Sequence, residues 1–314
     1  MKDSYGREID YLRLAVTDKC NLFCVYCRPE GETPPAHTLS LNEISRILRA
    51  TAQVGIKKLK ITGGEPLVHP QITEIIRSAK TTGQFSDITL TTNGTLLEKL
   101  ADGLVQAGLD AVNISLDTLD PVRYKKLTGR DMMKSVIAGL DAVLMAGPLS
   151  VKINCVATRE SSQDDLLALT ALASDRDIHV RFIELMPMGR GKTQNGLDPE
   201  ELMNILSGAF GTLTPCRRQL GNGPADYYSL PGFIGRLGFI NAVKSRFCDK
   251  CNRLRITADG WLKTCLHMDK GILLPLGDEE RMIKEVRAAI LAKPASHLFA
   301  TEDGDRRLMS QIGG

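Results

Sequence analysis

Apolar positions recur along the first two-thirds of the chain in two alternating rhythms. Short runs dense in Val, Ile, Leu and Thr stand at YLRLAV (11–16), KKLKIT (57–62), DITLTT (87–92), AVNISL (111–116), VKINCVA (151–157) and HVRFIEL (179–185). Their length and β-branched content predict strands. Between them the apolar spacing relaxes to three and four residues. SLNEISRILRATAQVG begins at a Ser N-cap and GTLLEKLADGLVQAG ends on Gly, the start and stop signals of helices. Six strands alternating with helices predict parallel βαβ units of the α/β class. Such units build a closed or partial barrel or an open doubly wound sheet, with chemistry at the C-terminal strand ends. Cys20 follows the first strand, TGGEP (62–66) the second and NG (93–94) the third, while SLD (115–117) closes the fourth. That placement favours a barrel mouth.

Beyond residue 190 the texture changes. GRGKTQNG and QLGNGPADYYSLPG are Gly- and Pro-rich, and short strands and a helix, GDEERMIKEVRAAILA, follow. We expect two units, residues 1–220 and 221–314. Hydrophobic residues make up 43% of the 314 and charged ones 25%, which suits a globular chain. The net charge of +3 creates no global field for nucleic acid. No stretch approaches the roughly 20 apolar residues of a membrane helix, and the N-terminus carries no apolar leader. A cytoplasmic protein without nucleic-acid or membrane partners is expected.

The eight cysteines do not suit a disulfide framework. Cys155 and Cys216 stand apart and are expected to be small core residues. The other six form two trios. Cys20, Cys24 and Cys27 can hold three irons of a 4Fe–4S cubane and leave the fourth open. Zinc would want a fourth Cys or His, and the nearest histidine, His37, lies ten residues on among prolines. Cys248, Cys251 and Cys265 also suit a zinc knuckle completed by His267, but the repeated three-cysteine form favours a second cluster.

Strand alternation places Arg13 on a face with Tyr11 and Ala15, Lys60 with Lys58 and Thr62, and Lys152 with Asn154, while Arg181 adds a fourth strand cation. Strands of a βα barrel are buried, and buried cations need anions; each could instead snorkel to the surface. Arg253 and Arg255 also share a face, and each guanidinium can grip a phosphate bidentately. There is no Walker A or GxGxxG loop, so a polyanion would be held by side chains. The terminal SQIGG suggests a frayed tail, or a slim finger without side chains.

CNLFCVYC with ITGGEPL resembles the radical S-adenosylmethionine (SAM) enzymes. With TTNG, NISLDTLD, RFIELMPMG, FCDKCNRLRIT, KTCL and the final GG, nearly the whole chain is similar to the GTP 3′,8-cyclase family. The resemblance implies an incomplete (β/α)6 barrel whose open side is covered by a C-terminal segment. It also implies two 4Fe–4S clusters and SAM as cofactors. Cys20, Cys24 and Cys27 would hold the first cluster, with SAM chelating its open iron. Tyr26 would lie near the adenine, Gly64 at the methionine end, and Ser115 and Met186 alongside. Cys248, Cys251 and Cys265 would hold the second cluster, whose open iron meets the guanine of GTP. Arg13, Lys60, Thr91, Lys152, Arg181, Arg253, Leu254 and Arg255 map onto GTP-contacting positions.

The implied reaction begins when a 5′-deoxyadenosyl radical takes the ribose C3′ hydrogen. Attack on guanine C8 and reduction, plausibly from the second cluster, then give 3′,8-cyclo-7,8-dihydro-GTP, the first step of molybdenum cofactor biosynthesis. The resemblance also reverses the frayed-tail expectation, since Gly313 and Gly314 would reach the active site, where Arg253 and Arg255 are catalytic. It further implies a flavodoxin-like electron donor, a cyclic pyranopterin monophosphate synthase receiving the product, and a possible homodimer. Position 60 departs from the pattern, because Lys replaces a common Arg and loses the bidentate fork. Two alternatives stand beside this. A peptide-modifying radical SAM maturase would usually bring more cysteines and a peptide-recognition extension. The other is a non-enzymatic zinc or electron-transfer module, for which metal analysis sets roughly eight irons per chain against zinc without acid-labile sulfide.

Overall fold

The computed structural model describes residues 1–27, 38–187, 195–217, 220–244, 247–268, 271–297 and 312. Each apolar run of the first two-thirds is a strand: β1 (Tyr11–Ala15), β2 (Lys58–Thr62), β3 (Asp87–Thr92), β4 (Ala111–Ser115), β5 (Ser150–Ala157) and β6 (Ile178–Glu184). The intervening helices are α1 (Leu41–Val54), α2 (Ile72–Thr81), α3 (Leu97–Gln106), α4 (Pro121–Thr128), α5 (Met133–Met145) and α6 (Gln163–Ala171). Ser40 caps α1 as its sequence suggests. Its hydroxyl accepts from the Glu43 N–H, and the Glu43 carboxylate accepts from the Ser40 N–H at 2.8 Å, a reciprocal box.

The later segment forms α7 (Pro199–Phe210), β7 (Thr214–Pro215), β8 (Asp226–Ser229), β9 (Arg236–Ile240), β10 (Arg253–Ile256), β11 (Trp261–Lys263), β12 (Ile272–Leu273) and α8 (Glu279–Leu291). These strands join the same sheet rather than making one of their own. The order is β12-β11-β10-β1-β2-β3-β4-β5-β6-β9-β8-β7. β10 runs parallel beside β1 and β9 parallel beside β6, so eight parallel strands stand in a row. In a flat sheet β1 and β6 would lie about 24 Å apart, at ~4.8 Å per strand. Yet Arg13 of β1 and Lys60 of β2 both sense the charge of Arg181 on β6. The sheet therefore curls into a partial barrel with these side chains inside.

Outward strand residues such as Leu12, Leu14, Ile61, Val112 and Ile153 are fully buried, as are Ile44, Ile47 and Leu48 of α1, in one continuous core. α1 also packs against α8, with Arg49 bonded to Glu279 at 2.9 Å. Among the described residues no helix is long and apolar enough to cross a membrane.

Leu254 belongs to this outer layer. It pairs in register with Leu12 and is fully buried in the core, while Arg253 and Arg255 point the other way. Leu254→Ala is expected to lower the unfolding free energy of the cluster-free protein by about 2–5 kcal/mol, measured by urea denaturation.

Candidate active site

A single cavity of about 880 Å³ runs inside the curled sheet. Both cysteine trios line it, together with Tyr26, Gly64, Ser115, Met186, Arg13, Lys60, Thr91, Lys152, Arg181, Arg253 and Arg255. Leu254 is absent from that lining, because its side chain lies in the outer apolar layer. Gly313 and Gly314 lie outside the described residues.

The Cys20–Cys27 loop is tied down from several sides. Phe23 N–H donates to Thr128 O (2.9 Å) and Val25 N–H to Leu127 O (3.0 Å), both at the end of α4. Asn93, after β3, donates to Asn21 Oδ1 (2.8 Å) and, at 3.9 Å, to Cys20 Sγ. Tyr26 donates to Asp117 Oδ2 (2.6 Å), and the same carboxylate accepts from Val156 N–H of β5 (2.9 Å). Burial, and then the Asp117 charge, hold the Tyr26 hydroxyl well above its ordinary range, so it remains a donor. Asp117 thus fixes the ring that the resemblance places near adenine.

The TGGEP turn has a packing reason as well as any ligand-binding one. Gly64 N–H donates to Thr17 O (2.7 Å) and Glu65 N–H to Lys19 O (2.7 Å), so the turn lies directly on the backbone entering the cysteine loop. A Cβ on Gly64 would sit 2.4 Å from Asp18 O and 2.5 Å from Lys19 O. Glu65 is fully enclosed. It accepts from Thr92 Oγ1 (2.6 Å), Asn93 N–H (2.6 Å) and Leu67 N–H (3.0 Å), and burial raises it to about 7 despite those bonds.

Deeper in the barrel the inward positions form a cationic belt. Register aligns Arg255 with Arg13 and Arg13 with Lys60. Farther round, Asn113 aligns with Lys152 and Asn154 with Arg181. Arg181 donates to Asn154 Oδ1 (2.9 Å) and Asn113 Oδ1 (2.6 Å). Glycine at 238 clears room for it, since a Cβ there would lie 2.9 Å from Arg181 Cγ. Lys60, Lys152, Arg181 and Arg255 are only 6–8% exposed. Among the described residues Lys60, Lys152 and Arg181 make no ion pair with a carboxylate. Burial, followed by mutual repulsion, holds Lys60 and Arg255 well below their ordinary ranges, Arg13 at about 10 and Lys152 at about 8. Asp87 offsets part of this at Lys60 and Lys152, and cations gathered from several strands suit a polyanion.

The second trio sits where β10 begins. Arg253 stacks over the Phe247 ring (4.7 Å) and donates to Cys251 Sγ (3.7 Å). Burial alone would raise the Cys251 thiol, but Arg253 and then Lys293 bring it down to about 7. At the first trio, burial and then the neighbouring Cys27 and Cys20 push Cys24 upward. The donor sets fit 4Fe–4S clusters: each offers three thiols beside open cavity. Among the described residues no three Cys, His, Asp or Glu side chains converge on a single metal ion. Three thiolates of a cubane bind different irons and need no such convergence.

Four site residues were not named individually from the sequence: Asn113, and Glu65, Asn93 and Asp117 within TGGEP, NG and SLD. Strand alternation would have found Asn113, two residues before Ser115. Cys155 is a buried core residue as expected. Cys216 is not, because it lines the cavity beside Gly221 and Asn222.

The Radical SAM superfamily model matches residues 14–193, more than half of the chain. A structure of Streptococcus suis SuiB bound to S-adenosylmethionine superposes with a TM-score of 0.66 at 17% identity, over 89% of this chain and 66% of that one. That likeness speaks for the fold alone. The chain belongs to the radical SAM superfamily. The Molybdenum Cofactor Synthesis C model matches residues 178–299. A GTP 3′,8-cyclase of Pelotomaculum thermopropionicum is 43% identical and one of Clostridium perfringens (strain 13) 41% identical, each over the full length of both chains. Within the superfamily the chain is a member of the GTP 3′,8-cyclase family, which uses SAM and two 4Fe–4S clusters.

Gly64→Ala is expected to strip iron from the first trio while sparing the second, lowering the iron content of the reconstituted protein by about half. Gly208→Ala, where a Cβ meets nothing within 4 Å, should leave the content unchanged. Iron analysis after anaerobic reconstitution checks both.

Proposed function

We propose that the chain is a GTP 3′,8-cyclase that converts GTP to 3′,8-cyclo-7,8-dihydro-GTP, the first step of molybdenum cofactor biosynthesis. One observation carries this: a single cavity holds two separate cysteine trios with a belt of buried cations between its walls. When bound, the first cluster and SAM would supply radical chemistry for hydrogen abstraction, and the second cluster would supply a Lewis-acidic iron for the guanine.

The chain's own residues do the positioning. Cys20, Cys24 and Cys27 anchor the first cluster, while Tyr26, held by Asp117, flanks the adenine of SAM. Gly64, Ser115 and Met186 line the rest of the SAM site. Cys248, Cys251 and Cys265 anchor the second cluster. Arg13, Lys60, Lys152, Arg181, Arg253 and Arg255 receive the triphosphate and orient the ribose, with Thr91 alongside and Leu254 contributing backbone only. Charge-assisted hydrogen bonds of this kind contribute about 1.5–3 kcal/mol each. Gly313 and Gly314 complete the site in this proposal. A flavodoxin-like electron donor, a cyclic pyranopterin monophosphate synthase as recipient, a homodimer and a cytoplasmic location belong to it through family resemblance.

Anaerobically reconstituted protein incubated with SAM, GTP and dithionite should yield 5′-deoxyadenosine and an isomer of GTP by mass spectrometry. Both products should vanish in Cys20→Ala and Cys248→Ala. Deoxyadenosine formed without consumption of GTP would sink the substrate assignment.

The belt also sets a pH dependence. Lys152 titrates at about 8 in the empty protein, where burial and then Arg181 lower it and Asp87 and Asp177 oppose the shift. Bound phosphates raise it, so above pH 8 GTP binding draws in a proton. GTP affinity should therefore weaken as pH rises through 8, by about tenfold per unit for each proton taken up. Calorimetry in buffers of different ionisation enthalpy measures that uptake.

A further inference from the structure

Three stretches of backbone carry the second cysteine trio: the turn at Cys248, the run from Cys251 into β10, and Thr264–Cys265 after β11. Two buried cations that do not line the cavity hold all three. Arg7 belongs to an N-terminal arm closed by the Lys2–Glu8 bridge. Its Nη1 donates to the carbonyls of Cys248 (2.7 Å) and Ala295 (2.9 Å), and its Nη2 donates to that of Pro294 (2.6 Å). Its Nε pairs with Asp3 (2.6 Å), whose carboxylate also accepts from the Tyr5 and Arg7 N–H groups. Lys293 follows α8 and donates from Nζ to the carbonyls of Arg253 (3.0 Å) and Thr264. One ammonium thus bridges the strand that follows Cys251 and the residue that precedes Cys265.

The two cations differ in charge balance. Arg7 has Asp3. Lys293 is 3% exposed, and among the described residues it makes no ion pair with a carboxylate. Burial lowers its pKa, and the groups that oppose this most strongly are Cys251 and Cys265. A positive charge fixed beside the ligands of an iron–sulfur cluster stabilises the reduced, more negative state. Net charge and hydrogen bonding around the sulfurs are the protein's means of setting the potential.

We propose that Lys293, buttressed by Arg7, is a positioning residue for the C-terminal cluster: it clamps the ligand-bearing segments together and raises that cluster's reduction potential. This rests on the two-cluster reading above and assigns Lys293 no contact with GTP or SAM. Because Arg7 grips residues 294–295, the same segment that carries Lys293, the N-terminal arm sets where the ammonium sits.

The test measures midpoint potentials by EPR-monitored titration of anaerobically reconstituted full-length protein, without SAM or GTP. A Cys20→Ala background isolates the C-terminal cluster and a Cys248→Ala background isolates the N-terminal one. Lys293→Met and Lys293→Gln should lower the potential of the C-terminal cluster and leave that of the N-terminal cluster unchanged, and Lys293→Arg should restore most of the difference. Retained iron with an unshifted potential in the neutral variants overturns the proposal. If both neutral variants lose C-terminal iron, retention in Lys293→Arg supports it. Loss in all three means that side-chain shape rather than charge holds the segments, and also overturns it. Unsubstituted protein that binds no C-terminal iron would instead refute the two-cluster reading, so the two failures are distinguishable.

Discussion

The parallel pairing of β10 with β1 is the contact on which the rest of the site depends. It joins residues 11–14 to residues 253–256 and sets which way every side chain of β10 faces. In the observed register Leu254 enters the apolar layer beside Leu12, and Arg255 enters the barrel beside Arg13. A slip of one residue would exchange them, pressing two guanidinium groups into hydrocarbon and a leucine among cations. The cost of burying unpaired charge makes that alternative untenable. The same pairing carries the second cysteine trio to the barrel that already holds the first.

The belt shows how a protein keeps charge available for a ligand. Arg181 is oriented by the amide oxygens of Asn113 and Asn154 rather than by carboxylates. Amides satisfy its N–H groups and fix its rotamer without neutralising it. Lys152 is similarly held by the Ser150 hydroxyl at 2.7 Å. A carboxylate at any of these places would relieve the empty protein and would also compete with a phosphate. Repulsion among Arg13, Lys60, Lys152 and Arg181 is therefore retained in the fold, at the expense of stability, where a polyanion relieves it.

Much of this was legible in the sequence because the parallel strands are buried on both faces and stand out as apolar runs. Alternation then identified Arg13, Lys60, Lys152 and Arg181 as candidates for the interior, and all four line the cavity. Pairings that join distant parts of the chain were not legible. Nothing local in RLRI says that β10 adds to the edge of β1, or that β9 adds to β6, so strands from the later segment were expected in a unit of their own. Glu65, Asn93 and Asp117 lie in motifs placed at the barrel mouth, but their individual roles were not legible, for a related reason. Their work is to bond backbone N–H groups and side chains contributed by other strands, and an enclosed carboxylate looks like a surface one in one dimension. Cys216 was misjudged because isolation in sequence says nothing of position in space.

The β1–β10 pairing also bears on how the chain is made. The two partners are synthesised at nearly opposite ends of the process, so β1 emerges early and then waits with one edge of its ladder unfilled. An unfilled edge of a parallel sheet can recruit another strand, and closing so long a loop is slow. Until residues 253–256 have been made that edge stays open, and the first cysteine trio is synthesised well before the second.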